Sequence, residues 1–213
     1  MRNLLGALVA LQALLGMMFA ASAADLGAKY PIKAAPPIVE QLTHGWSGWI
    51  VSAVAGGDWN NFQFNGFGNT AAQKPSDFAV GGMSDLLYEF GNGVVIGHEL
   101  VVRYGNPSVA GQSAPYWRGN SDAIIGFDAG PFLPYVGIGV AAQTLKINLF
   151  GTGATDPTFG WDVAAGLKYK VPTTEWVFGL RGYYENMNGF AIGPISTQAS
   201  NLGVLGSVGY EFQ

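Results

Sequence analysis

The chain has 213 residues, a formal charge of −4, no cysteine and only 11% charged side chains. An acidic balance with scattered Lys and Arg leaves no footprint for nucleic acid, and an exported chain without cysteine must hold its fold without disulfides. Thirty-two glycines, 13% aromatic residues and few helix-forming stretches point to many strands joined by tight turns.

Met1 and Arg2 give a short positive start. Leu4 to Ala20 is an apolar run broken by Gln12, and Ala21-Ser22-Ala23 offers small residues for cleavage. Residues 1–23 therefore read as a secretory signal peptide cut near Ala23. A retained membrane helix is the competing reading, because the run is close to spanning length. The small-residue exit and the lack of basic residues just beyond it favour the signal. Its removal takes away Arg2 and no acid, moving the formal charge from −4 to −5. Residues 24–45, with Pro31, Pro36 and Pro37 and little periodicity, read as an extended periplasmic leader.

Residues 46–213 divide into strands by period-two alternation. The segments are 46–59, 78–90, 94–104, 116–128, 132–145, 158–170, 176–185 and 201–212. The last is the clearest: Leu202, Val204, Val208, Tyr210 and Phe212 share one face, while Asn201, Gly203, Ser207, Gly209 and Glu211 share the other with Leu205 as the exception. Polar stretches 60–76, 105–115, 146–157 and 187–199 read as four long loops. They alternate with short turns at Gly91-Asn92-Gly93, Ala129-Gly130-Pro131 and around Pro172. Long loops at one end and short turns at the other, joined by strands long enough to cross an apolar band about 25 Å tall, predict an all-β, eight-stranded antiparallel up-and-down transmembrane barrel. Its apolar face would meet lipid. A soluble sandwich or a lipocalin-like barrel would need the faces reversed.

The aromatic residues sort into two expected interface girdles. Trp46, Trp49, Tyr88, Tyr169 and Trp176 fall near the periplasmic rim, and Trp59, Tyr104, Trp117, Trp161 and Tyr184 near the outer rim. The opposite face carries Asp85, Glu89, Glu99, Arg103, Asp122, Asp162, Lys168, Arg181 and Glu185, with Glu211 at the end. Eight strands make a lumen narrow enough for side chains to fill, so these charges are expected to pair with one another; a narrow ion path is the functional alternative.

Catalytic candidates are few. The two histidines are His44 in the leader and His98 on the apolar face, and the neighbouring Glu99 points to the other side of its strand. No His, Cys or carboxylate cluster has metal-ligand spacing. Phe62, Phe64, Phe67, Phe150 and Phe190 lie in predicted loops, where they could anchor a ligand or pack the loops on themselves.

The stretches ADL after the cleavage site, GWSGWIVSAVAGGDW, FLPYVGIGVAAQ, FGWDVAAGLKY before a short turn and Trp176, and the terminal SVGYEF resemble the alphaproteobacterial outer-membrane β-barrel proteins. These are porin-like surface antigens related to the small OmpA-type and opacity-type barrels. The resemblance implies an outer-membrane site in a Gram-negative bacterium, contact with outer-membrane lipid and lipopolysaccharide, and insertion by the barrel-assembly machinery through a closing-strand signal matching Gly209, Tyr210 and Phe212. It also implies an interior arginine on the fourth strand, where the apparent position here is Ile124, and a chain ending at Phe, where Gln213 follows Phe212.

The expected role is that of a monomeric, cofactor-free, non-enzymatic envelope and surface protein, at most a very narrow pore. A surface barrel binding haem or another apolar ligand is the alternative, with Tyr116 the phenol nearest the outer loops. A lipid-modifying barrel enzyme using His98 is a third reading.

Overall fold

A computed structural model describes residues 45–66, 69–109, 111–149, 152–192 and 195–212. The predicted signal peptide, the leader up to residue 44, and Gln213 lie outside these. The strands are β1 (Gly48–Gly66), β2 (Asn69–Gln73), β3 (Ser76–Glu89), β4 (Val94–Gly105), β5 (Ser108–Val109), β6 (Gln112–Ser113), β7 (Tyr116–Phe127), β8 (Phe132–Leu149), β9 (Thr152–Lys170), β10 (Trp176–Ile192) and β11 (Ile195–Phe212).

Eight of them, β1, β3, β4, β7, β8, β9, β10 and β11, pair in sequence order, and β11 pairs back to β1 to close the barrel. All pairings are antiparallel. The closing seam runs without a break from Trp49 opposite Phe212 to Asn65 opposite Ser196. Closure removes the unpaired edge that a sheet in hydrocarbon could not tolerate.

One end carries short turns. Gly93 donates its N–H to Phe90 O (2.9 Å) and takes φ 81°, a conformation open to glycine. At the next turn Gly130, φ 73°, donates to Asp128 Oδ1 at 2.8 Å. The other end carries longer hairpins. Here the structure differs from the sequence reading, because most of the predicted loops are strand. β1 runs on to Gly66 and folds back as β2, β5 and β6 pair within the 105–115 stretch, β8 and β9 stay paired out to Leu149 and Thr152, and β10 and β11 to Ile192 and Ile195.

The reason is that the alternation persists while its polarity inverts. Along the turn-end part of β1, outward Trp49, Val51 and Trp59 are exposed, and inward Ser52, Asp58 and Asn60 are buried. Beyond Asn60 the inward residue is Phe62, 0% exposed, and its outward neighbours are Asn61 and Gln63. Strand continues, but its outward face is now polar and the apolar side chain is kept inside, as water on the outside requires.

Three apolar clusters occupy the interior. At the turn end, Trp46, Ile50, Leu87, Val95, Ile124, Leu133, Tyr135 and Val177 pack together. Val54, Met83, Val101, Ala164, Tyr183 and Leu205 form a middle cluster. Phe62, Val109, Ala114, Tyr116, Ala141, Met187 and Ala199 fill the hairpin end, with Phe64 packed against them.

Candidate functional site

Between the apolar clusters lies a layer of buried charge whose geometry follows from register. Asp85 on β3 is opposite Glu99 on β4, Glu99 is opposite Asp122 on β7, and Gly139 on β8 stands between Asp122 and Asp162 on β9. Asp162 is opposite Glu185 on β10. Five carboxylates thus follow one another around the wall, interrupted by a glycine. Like charges directly opposite repel, so the arrangement holds only if cations are wedged among them.

Four cations reach this acidic run from both sides. From the turn-end side, Lys168 Nζ donates to Asp85 Oδ2 and Glu99 Oε2, each at 3.0 Å. Arg181 donates from Nε to Glu99 Oε1 at 2.7 Å and from Nη2 to Asp122 Oδ2 at 2.5 Å and Asp162 Oδ2 at 3.2 Å. From the hairpin-end side, Arg103 Nη2 donates to Glu185 Oε1 at 2.5 Å and Nη1 to Asn120 Oδ1 at 2.5 Å. Arg118 lies 3.3 Å from Glu185 and donates to Gln143 Oε1 at 2.8 Å and Asn60 Oδ1 at 2.9 Å.

Asp58 is the second node. It accepts hydrogen bonds from the hydroxyls of Tyr116 and Tyr183, from Arg103 Nε at 3.3 Å and from Arg118 Nη1 at 3.4 Å. The Tyr183 ring lies between two guanidinium groups, 4.5 Å from Arg103 and 4.9 Å from Arg181. Space for this comes from Gly203, where a Cβ would sit 2.2 Å from the Tyr183 hydroxyl and 2.6 Å from Asp58 Oδ1. This layer holds six buried carboxylates, Asp58, Asp85, Glu99, Asp122, Asp162 and Glu185, against four cations, Arg103, Arg118, Lys168 and Arg181; the buried Lys170 and Glu211 lie apart from it, paired with each other at the turn end.

Two predicted residues sit elsewhere. Glu89 is half-buried at the turn-end mouth, where it accepts the Trp46 backbone N–H at 2.7 Å. Trp46, assigned from sequence to the interface girdle, is 0% exposed inside the barrel, with Nε1 donating to Gly130 O at 3.2 Å. It precedes β1 and shares the inward parity of Ile50 and Val54. Lys170 and Glu211 pair beside it at 2.5 Å.

Sequence reasoning did not bring Asp58, Arg118, Asn120 or Tyr183 into the charge network. The signal was the even spacing of Tyr116, Arg118, Asn120 and Asp122 on one face of β7. Ile124, where the resemblance implies an interior arginine, is buried in the turn-end apolar cluster, and the buried arginine of this strand is Arg118, six residues earlier.

On the exterior, Trp49, Trp59, Tyr88, Tyr104, Trp117, Trp161, Trp176 and Tyr184 are exposed, and Tyr169 is half-buried against Phe132, ring centroids 5.0 Å apart. The rings pair across strands, among them Tyr104 with Trp117 at 5.3 Å and Trp161 with Tyr184 at 5.7 Å. Gly209, Tyr210 and Phe212 lie on β11 beside the seam, with Tyr210 5.8 Å from Trp176 and Phe212 5.6 Å from Trp49. His98 is half-buried on the outer face, its Nε2 2.8 Å from Ser121 Oγ. Phe62 and Tyr116 are enclosed at the hairpin end, so neither stands ready for a surface ligand; Phe190 lies in β10, and Phe67 and Phe150 fall outside the described residues.

A closed barrel with charge inside and an apolar, ring-bordered surface outside is a transmembrane β-barrel of the bacterial outer-membrane type. No family model matches the chain. Over its whole length it is 27% identical to the 25 kDa outer-membrane immunogenic proteins of Brucella canis, across 224 residues, and Brucella ovis, across 218, covering 100% of each. Among solved structures it is similar to Neisserial surface protein A, with a TM-score of 0.48 and 16% identity over 78% of this chain and 98% of that one. OprG of Pseudomonas aeruginosa gives 0.46 and 17% over 78% and 97%. The resemblance to alphaproteobacterial outer-membrane barrels thus stands on full-length relatives, and the protein is an outer-membrane surface protein of the small eight-stranded kind in a Gram-negative envelope.

Proposed function

We propose that this barrel is sealed, and that it serves the envelope as a non-enzymatic membrane anchor displaying its hairpin end to the outside rather than as a pore. The observation that carries this reading is the filling of the lumen: apolar clusters at both ends enclose a charge layer whose cations are all engaged by carboxylates. An eight-stranded lumen has no width to spare once side chains of this size fill it. Export through residues 1–23, a leader over residues 24–45, insertion guided by Gly209, Tyr210 and Phe212, and a monomeric state belong to the same reading.

The test is single-channel recording of the refolded protein in planar bilayers. A sealed barrel gives no steady unitary current in molar KCl. Steady steps would establish a pore, and the excess of buried carboxylates over cations would make such a pore cation-selective.

The enzymatic reading has one supporting contact, the His98–Ser121 hydrogen bond on the lipid face. A triad would need an acid behind the imidazole. Glu99, next in the chain, is turned into the lumen and engaged by Lys168, Arg181 and Tyr135. The contact satisfies two polar groups that would otherwise face hydrocarbon, as Trp49 Nε1 does by donating to Ser84 Oγ at 2.7 Å.

A further inference from the structure

The charge layer of the lumen does not balance. Its six buried carboxylates face four buried cations, which leaves an excess of two negative charges inside a wall wrapped in hydrocarbon. Charge at that depth is too costly to stand uncompensated. Asp77, opposite Asp58 and accepting from Asn60 Nδ2 at 2.8 Å, is only half-buried at the hairpin end and can keep its charge in water. Two protons, one for each surplus charge, would bring the layer to neutrality.

Two acid pairs mark where those protons sit. Asp122 Oδ2 and Asp162 Oδ2 accept from the same nitrogen, Arg181 Nη2, and the two carboxyls are within hydrogen-bond reach of each other. Their other oxygens, Asp122 Oδ1 and Asp162 Oδ1, are buried without a donor. Asp85 Oδ2 and Glu99 Oε2 repeat the arrangement on Lys168 Nζ, again within mutual reach, and Asp85 Oδ1 is left without a donor. An ionised carboxylate only accepts, so two of them side by side cannot bond; protonating one supplies the missing donor. Gly139 makes the first pair possible: a Cβ there would lie 2.1 Å from Asp122 Oδ1, so the missing side chain lets Asp122 lean across β8 toward Asp162. Facing this pair are Glu99 on β4, Asn120 on β7, and Arg181 and Glu185 on β10. Facing the second are Tyr135 on β8, Lys168 on β9 and Arg181 on β10. A metal ion would need a shell of oxygen ligands, and among the described residues no three His, Cys, Asp or Glu side chains are grouped to hold one.

We propose that the folded barrel binds two structural protons at neutral pH, one shared by Asp122 and Asp162 and one by Asp85 and Glu99, which make the lumen a neutral plug of four cations and four anions. Each proton belongs to its pair rather than to one residue. The unfolded chain has released both at pH 7, so folding takes up two protons. The fold is therefore strongest at acid pH, loses stability as pH rises above the unfolded carboxylate range, and stops losing it once the pairs themselves have ionised. This goes beyond the sealed-lumen reading and is tested apart from it: recording reads ionic current, whereas the measurements below read bound protons.

The test is infrared spectroscopy of the full chain refolded in bilayers at pH 7, reading the C=O stretch of protonated carboxylic acids, together with the pH dependence of the unfolding constant in urea. The expected spectrum holds two protonated carboxyls per chain, and the unfolding constant rises about a hundredfold per pH unit above the unfolded carboxylate range, about tenfold for each proton. Asp122→Asn, a neutral isostere of the protonated acid, should fold, lose one of the two bands and cut the slope to about tenfold per pH unit; Asp85→Asn should do the same at the other pair. His98, on the outer wall, is common to parent and variant and cancels from that difference. Glu185→Gln, which takes a carboxylate from Arg103 and Arg118, should keep both bands while raising the unfolding constant about tenfold or more. Fewer than two protonated carboxyls in the parent, an unchanged band count in Asp122→Asn, or sodium retained in the lumen in place of the protons would overturn the proposal. If Asp122→Asn fails to fold, Asp162→Asn, which breaks the same pair from its other side, decides by the same two readouts.

Discussion

The turn-end and hairpin-end halves of this barrel share strands, registers and inward parity, yet they solve opposite solvent problems. In the turn-end half, apolar residues face out and charge is confined within, so exposed Ile138 (65%) and Val140 (63%) are in their proper solvent, which is lipid. In the hairpin half of β1, β10 and β11, Phe62, Met187 and Ala199 face in, while Gln63, Asn186 and Gln198 face out. The difference teaches that period two specifies a strand but not its surroundings. Which side carries the apolar residues specifies the solvent, and along one strand that sign can change.

The largest expected effect comes from breaking the charge layer. Arg103→Leu strips Asp58 and Glu185 of a shared counter-ion, and leaving buried charge uncompensated costs about 3–5 kcal/mol. The check is the urea midpoint of the gel-mobility shift, with Arg103→Lys expected to fall between the variant and the parent.

Next comes a pair of truncations that separates the two halves. Phe62→Ala opens a cavity in a packed cluster and should cost about 3–5 kcal/mol. Phe178→Ala, on the lipid face, should cost only about 2 kcal/mol, because lipid tails fill the space and the transfer component alone is lost. Equal costs in equilibrium unfolding into urea would remove the distinction.

Charge substitution sharpens the same contrast. Ile138→Arg on the belt should destabilise by about 2–4 kcal/mol. Gln198→Arg, outward on the hairpin extension, should stay within about 0.5 kcal/mol. The smallest effect is expected for His98→Leu, which removes one surface hydrogen bond and should change stability by about 1 kcal/mol or less. A loss of lipid-modifying activity with this variant would instead revive the enzymatic reading.

The barrel portion of the fold was legible in the sequence because lipid imposes outward apolar residues on every strand. Leu202 to Phe212 alone displays the rule. The hairpin extensions were not legible as strand, since Asn60 to Ser76 loses the outward apolar signal on which the reading depended, although Phe62 and Phe64 still alternate with Asn61, Gln63 and Asn65. The lumen was half legible. Alternation identified Asp85, Glu99 and Arg181 as inward, but it could not say that Asp58 and Arg118 come from distant strands to share one ion network. Register, which is set by pairing across strands, carries that information. Trp46 was misplaced because an aromatic residue near a strand end fits both an interface and a plug, and only its parity separates the two.

The central claim is the inversion of the wall between Leu202 and Ser200. The chain has no cysteine, so single substitutions along the outward face of β11 can each carry one fluorophore: Ser200→Cys, Leu202→Cys, Val204→Cys, Val208→Cys and, beyond the boundary, Gln198→Cys. Refolded into bilayers with quenchers attached to the lipid chains, the labels at 202, 204 and 208 are predicted to be quenched, and those at 198 and 200 to be quenched instead by a water-borne ion. Chain-lipid quenching that continues unchanged through 200 and 198, or that is absent at 204, would contradict the account.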